Sequence, residues 1–170
     1  MRCKAEGSDN LIMKMKNRQR AQAIIIQNNK VLLGAGLIKG KEFGHFFIGG
    51  GIEQGESSET AIIREIKEEA NVEGTIVFKL SKEYIENHHT FLVEIGDQIV
   101  SLGYDPEQEE LEKEAHLRAL QRLEFIPLNE HSRFSLIDIE YFKILLEECN
   151  TRDYFPRWYK DMEMLVRCHV

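Results

Sequence analysis

The sequence predicts an α/β fold in a single domain, and three observations predict it. Two runs rich in Ile, Leu and Val meet at Asn28-Asn29, and two later segments carry apolar residues at helical spacing behind a serine. The chain's 170 residues fill one domain of the usual roughly 100–200 and leave no room for a second.

Residues 1–18 are polar and aperiodic and read as an extension, 19–150 as the domain, and 151–170 as an aromatic and basic segment packed on the domain or on a partner subunit. Residues 21–27 and 30–34 form a hairpin, because the asparagines between them tolerate positive φ. His45-Phe46-Phe47-Ile48 reads as a short buried strand running into Gly49-Gly50-Gly51, where the backbone can turn sharply or approach a ligand closely. Residues 57–70 are the clearest helix. Ser57 or Ser58 caps it, Glu59 lies in the first turn, and Asn71 suits the left-handed position that closes it. Residues 74–86 and 90–98, rich in Val, Ile, Phe and Tyr, read as strands flanking Asn87-His88-His89. Residues 105–114 are an acidic loop or short helix, and 118–126 a last strand stopped by Pro127. Residues 135–149 form a helix with Leu136, Ile139, Phe142, Leu145 and Leu146 along one face.

Composition excludes several classes. A net charge of −7 gives a field that repels a polyanion such as duplex DNA, so nucleic acid is not the expected partner and phosphate must be met locally. No stretch approaches the roughly 20 apolar residues that span a bilayer, and the first residues lack the apolar centre of a secretory signal. Cys3, Cys149 and Cys168 are odd in number and far apart, which argues for reduced thiols, no zinc site and a cytoplasmic setting.

The chemistry concentrates on the 57–70 helix. At about 100° per residue, Ile62, Ile63, Ile66 and Ala70 share one arc and face the core, while Glu65, Glu68 and Glu69 converge on the neighbouring arc. Such a run is more often a solvated acidic face. It is also what a hard divalent cation needs, since oxygen ligands bind it and it relieves the like-charge repulsion.

The residues around it decide between the two. Gly50, five residues, Glu56, seven residues, then Arg64-Glu65-Ile66-Lys67-Glu68-Glu69-Ala70-Asn71-Val72 resemble the Nudix box, G-x5-E-x7-R-E-U-x-E-E-x-G-U with U aliphatic. Asn71 replaces the last glycine, a mild departure because both residues suit a helix-closing position. Ile48 stands where the family often has proline. The resemblance implies a Nudix α/β/α sandwich with a mixed β-sheet, and hydrolysis of a nucleoside diphosphate linked to another group. It implies metal ligation by Glu65, Glu68 and Glu69, with the Gly49 carbonyl as a further candidate, and Mg²⁺ or Mn²⁺ as the cofactor. Glu56 and Arg64 are implied to form a supporting ion pair, completing the catalytic set. Gly50, Gly51 and Phe47 are the substrate-binding candidates; one of Phe46 and Phe47 could stack on a base while the other fills the core, and core packing is the favoured reading for both.

The general base stays open between a box glutamate and Glu109, Glu110 or Glu112. His88 and His89 are candidates for a phosphate or base contact, and more readily for structural hydrogen bonds. Tyr154, Phe155, Trp158 and Tyr159 beside Arg152, Arg157 and Lys160 could grip a nucleotide or dock on the protein itself. No subfamily signal names the substrate, for Pro106 lies too far beyond the box and Tyr84 too near. Nucleoside triphosphates are the candidate substrates, and a two-fold homodimer the expected assembly. A non-catalytic nucleotide-binding protein is the rival reading, which the intact glutamates disfavour. An isomerase acting on a diphosphate ester is a weaker third.

Overall fold

The computed structural model describes residues 18–103 and 113–169. The extension up to residue 17, Pro106 and the candidate bases Glu109, Glu110 and Glu112 lie outside the described residues. The strands are β1 (Arg20–Gln27), β2 (Lys30–Ile38), β3 (Glu42–Phe46), β4 (Ile48–Gly51), β5 (Thr75–Lys79), β6 (His88–Glu94) and β7 (Arg122–Pro127). The helices are α1 (Ser58–Ala70), α2 (Leu136–Thr151) and α3 (Tyr159–Arg167).

The sheet is built around β1. One edge pairs in parallel with β6 from Arg20 to Ile25. The other edge is shared, with β4 running antiparallel along Arg20–Ala23 and β2 joining at Ile26 and Gln27. Asn28 and Asn29 turn that hairpin at φ 49° and 62°, the two left-handed positions whose twist matches the strands. β2 carries β3 and β7, and β5 lies antiparallel on β6, so the sheet is mixed.

Side-chain alternation along β1 sorts the two cores. Ile24, with Leu92 of β6, packs under α2 and α3, against Phe142, Leu145, Met162 and Leu165. Ala21, Ala23 and Ile25, with Phe91 and Val93, pack under α1 against Ile62, Ile66 and Ala70. Both faces of the sheet are covered, which is why this strand reads as an almost unbroken apolar run. The result is an α/β/α sandwich. No helix among the described residues is long and apolar enough to cross a membrane.

Both predicted helices form with their caps. The Ser57 hydroxyl accepts from the Thr60 amide at 3.1 Å, and Asn71 closes α1 at φ 55°, ψ 34°. Ser135 and Asp138 form a reciprocal capping box on α2. Leu136, expected on the buried face of α2, is 74% exposed, because it falls in the first turn, beyond the reach of the core.

Several strand expectations are corrected. The segment 45–48 is divided between β3 and β4 at Phe47, and the three glycines are themselves strand, paired with β1. The ladder of β5 stops at Lys79 rather than running to residue 86. There the Glu148 carboxylate of α2 takes both the amide and the hydroxyl of Ser81, satisfying a backbone donor that would otherwise seek a strand partner. β6 begins at His88, so the two histidines are part of the strand and not of the turn. β7 starts at Arg122, after a 3₁₀ turn at Ala115–Leu117, and it includes Pro127, opposite Lys30.

The C-terminal segment docks on its own domain. Trp158, Met162, Leu165 and Val166 are buried against α2, each of the aliphatic ones contributing roughly 1.5–3 kcal/mol by burial. The Tyr154 ring packs edge-on to Phe78 with centroids 5.8 Å apart, and its hydroxyl donates to Glu94 at 3.0 Å. Tyr154 and Trp158 therefore serve packing, while Phe155 is 56% exposed.

Candidate active site

The cavity at the amino-terminal end of β1, about 450 Å³ in volume, gathers Gly49, Gly50 and Gly51 of β4 with Arg64, Glu65, Glu68 and Glu69 of α1. Arg18, Arg20, Phe46, His88 and Leu120 also line it. α1 lies under one face of the sheet, so its carboxylates must pass β4 to reach this space. Glycine makes that passage. A Cβ on Gly50 would stand 2.3 Å from Glu65 Oε1, so the carboxylate occupies the volume a side chain would fill. Gly49, at φ 149°, has the Ala21 carbonyl 2.1 Å from its missing Cβ, so the strand pairing itself requires glycine there. The close approach expected at these glycines is made by the protein's own groups.

Arg64 organises the acidic wall. Its Nε donates to Glu56 Oε1 at 2.9 Å and its Nη2 to Glu56 Oε2 at 3.0 Å, the paired geometry that guanidinium and carboxylate share. Nη2 also reaches the Gly51 carbonyl at 3.1 Å. Nη1 donates to Glu65 Oε1 at 2.7 Å and to Glu68 Oε2 at 3.1 Å. The Glu56 carboxylate returns to the loop, accepting from the Glu53 amide at 3.0 Å. One side chain thus ties the 51–56 loop to the helix and holds two of the three box glutamates.

Glu69 is held separately, with Oε2 accepting from the Gly49 amide at 3.0 Å. Glu65 and Glu69 are 9% and 7% exposed, so the acidic face is not a solvated one. Burial pushes the Glu65 carboxyl above its ordinary pKa, with the Arg64 hydrogen bond pulling the other way. The Arg64 bond holds Glu56 below the usual carboxylate range, and the same contact raises the guanidinium's own pKa.

Among the described residues no three His, Cys, Asp or Glu side chains stand as a ready metal cage. The chemistry of the donor set nevertheless fits a hard cation, with oxygens only, three carboxylates on one cavity wall, and space for the waters that Mg²⁺ retains. The Gly49 carbonyl fits less well. It accepts from Arg20 Nη2 at 2.6 Å, which sets a cation where the resemblance offers a metal ligand.

Phe47 is corrected. It is 5% exposed and packs edge-on against Tyr141, with centroids 5.5 Å apart, so it belongs to the core beneath α2. Phe46 lines the cavity instead, as alternation across the β3–β4 junction requires. His88 and His89 also part. His89 Nδ1 lies 2.9 Å from Glu83 Oε1 and its Nε2 3.3 Å from Gln19 Oε1, whereas His88 faces the cavity. Arg18 and Arg20 were not singled out from the sequence. Arg20 and Gln22 are polar residues at alternate positions of an otherwise apolar strand, and that interruption was the available signal.

The NUDIX domain model matches residues 17–147 of the chain, and no curated protein matches it. Among solved structures, a NUDIX hydrolase from Nitrosomonas europaea is 17% identical, with a TM-score of 0.54 over 75% of this chain and 87% of the other. An Ap4A hydrolase of C. elegans is 18% identical, with a TM-score of 0.54 over 81% of this chain and 100% of the other. A UDP-X diphosphatase is 16% identical, with a TM-score of 0.50 over 83% of this chain and 72% of the other. At such identities the likeness is one of fold, and that fold is the one Nudix hydrolases share. With Gly50, Arg64, Glu65, Glu68 and Glu69 of its box on one cavity, Glu56 bonded to Arg64, and the domain model matching residues 17–147, this chain belongs to the NUDIX domain family.

Proposed function

We propose that the protein hydrolyses a diphosphate linkage in a nucleoside diphosphate derivative, with Mg²⁺ or Mn²⁺ held by Glu65, Glu68 and Glu69. Nucleoside triphosphates are the first class to try. The observation that supports this best is the gathering of three carboxylates, two of them buried, with Arg18, Arg20 and Arg64 around a single cavity. The names of two neighbours in fold, an Ap4A hydrolase and a UDP-X diphosphatase, agree with a reaction at a phosphate bridge.

A divalent cation bound there would neutralise phosphoryl oxygens and lower the pKa of the attacking water. The chain's own residues do the rest. Arg64 keeps Glu65 and Glu68 aimed at the cavity while Glu56 anchors Arg64 to the loop. Arg18 and Arg20 set positive charge opposite the carboxylates, where the anionic chain of the substrate must lie. The homodimer and the cytoplasmic setting are part of the same reading.

The experiment is phosphate and pyrophosphate release from nucleoside triphosphates, nucleotide sugars, ADP-ribose, dinucleotides and coenzyme A, with and without Mg²⁺ or Mn²⁺. Cation-dependent turnover of one class is the expected result. No turnover in any class, together with a nucleotide-induced rise in melting temperature, would replace the hydrolase with a binding protein.

A further inference from the structure

We propose that His88 is a substrate-binding residue, donating a hydrogen bond from Nε2–H to a phosphate oxygen of the nucleotide derivative, from the wall opposite Glu65, Glu68 and Glu69. This assignment rests on the hydrolytic reading above and adds a contact to it. His88 opens β6 in register with Arg20 of β1, so the two side chains stand on the same face of the sheet, and both line the cavity.

The ring chemistry selects the donor. His88 Nδ1 is buried with no hydrogen-bond partner. A neutral imidazole carries one N–H and one bare nitrogen, and burying an orphaned N–H is the rarer and costlier choice. The proton therefore sits on Nε2, the nitrogen left to face the cavity. Burial, and secondarily the charge of Arg20, push the imidazole pKa below its usual value, which keeps the ring neutral and the donor fixed. His89 next to it turns its Nε2 to Gln19 Oε1 at 3.3 Å, with the Glu83 carboxylate 2.9 Å from its Nδ1.

The neighbours select the ligand. His88, Arg18 and Arg20 offer donors, so the group they fit is an acceptor without protons of its own. A phosphate oxygen is such a group, whereas a base edge mixes donors and acceptors. Arg20 already gives Nη2 to the Gly49 carbonyl, which fixes its guanidinium beside the imidazole and holds the wall in shape.

The test uses a methylene-bridged, non-hydrolysable nucleoside diphosphate analogue, titrated calorimetrically with Mg²⁺ into the wild type, His88→Leu and His88→Gln. Steady-state kinetics are measured on the nucleotide that the wild type turns over. Leu should weaken analogue binding and raise KM by about tenfold, with the larger part of the loss in KM rather than kcat. Gln, whose amide N–H reaches the same place as Nε2–H, should recover most of the affinity. ¹⁵N spectra of the wild-type ring should place its proton on Nε2. Wild-type affinity in a folded Leu variant, a Gln variant as weak as Leu, or a proton on Nδ1 would each overturn the assignment. A wild type that neither binds the analogue nor hydrolyses any nucleotide sinks the hydrolytic reading along with it, while an active wild type beside an unaffected Leu variant sinks the His88 contact alone.

Discussion

Arg64 meets Glu56 with two near-parallel hydrogen bonds, Nε to Oε1 at 2.9 Å and Nη2 to Oε2 at 3.0 Å, and so closes the 51–56 loop onto α1. The pair is mostly shielded, with side chains 24% and 11% exposed. Removing one partner should cost about 1–3 kcal/mol, between the values for exposed and buried pairs. Arg64→Ala should lower the melting temperature by several degrees and, by releasing Glu65 and Glu68, reduce kcat at least about tenfold. Arg64→Lys should rescue neither, because an ammonium cannot reproduce the fork. Melting curves and turnover of both variants check this, and a fully active lysine variant would contradict it.

Glu68→Gln and Glu69→Gln separate ligation from folding. Glutamine keeps the shape of each side chain, and at 69 its amide oxygen can still accept from the Gly49 amide. Both variants should fold and melt close to the wild type. Turnover should fall by about a hundredfold or more, as expected when a charged ligand of the cation is lost. Isothermal titration of Mn²⁺ should show weaker binding in each. Full cation-dependent activity in either variant would remove that residue from the ligand set.

Two adjacent glycines should fail in different ways. In Gly50→Ala the new methyl collides with the Glu65 carboxylate, a movable group, so the protein should fold with Glu65 displaced and kcat reduced. In Gly49→Ala the methyl meets the backbone of Ala21 at a φ that alanine rarely adopts, and the cost should be about 3 kcal/mol or more in stability. Thermal melts and kinetics of the two variants, measured side by side, distinguish these outcomes. Equal stability in both would refute the account of β4.

Glu124 supplies an acid-sensitive contribution to stability. Burial alone would raise its pKa, but hydrogen bonds from Arg122 and His45 outweigh it and hold the carboxyl down to about 2. Because the folded pKa lies below the unfolded value near 4.5, the contribution is complete above pH 4.5 and is lost as the pH falls towards 2. Glu124→Gln should therefore be less stable than the wild type by about 1 kcal/mol near neutrality, discounted for partial exposure. The gap should close below pH 3. Urea titrations at pH 7, 4 and 2.5 measure it, and a gap independent of pH would dismiss the ion pair.

The helices were legible in the sequence because their signals are local. Ser57 and Asn71 act within one turn of their own backbone, and the structure keeps both in those roles. The hairpin at Asn28-Asn29 was legible for the same reason. The box was legible because its spacings lie on a single helix and the loop leading into it. Strand limits were harder to read. Nothing near residue 80 announces that Glu148, far along the chain, will satisfy the amide of Ser81 and end β5.

The sequence by itself determined the α/β class, the capped acidic helix and the spacing of the box residues along it, since each depends on periodicity or on neighbours within about ten positions. Tertiary structure alone decided the direction of side chains that alternation leaves ambiguous. It sent Phe47 to the core and Phe46 to the cavity, buried Glu65 and Glu69, and set Arg20 and His88 opposite them. The physical reason is strand pairing. β4 and β6 lie on opposite edges of β1, and only that register brings glycines, carboxylates and a basic wall from distant parts of the chain to one opening.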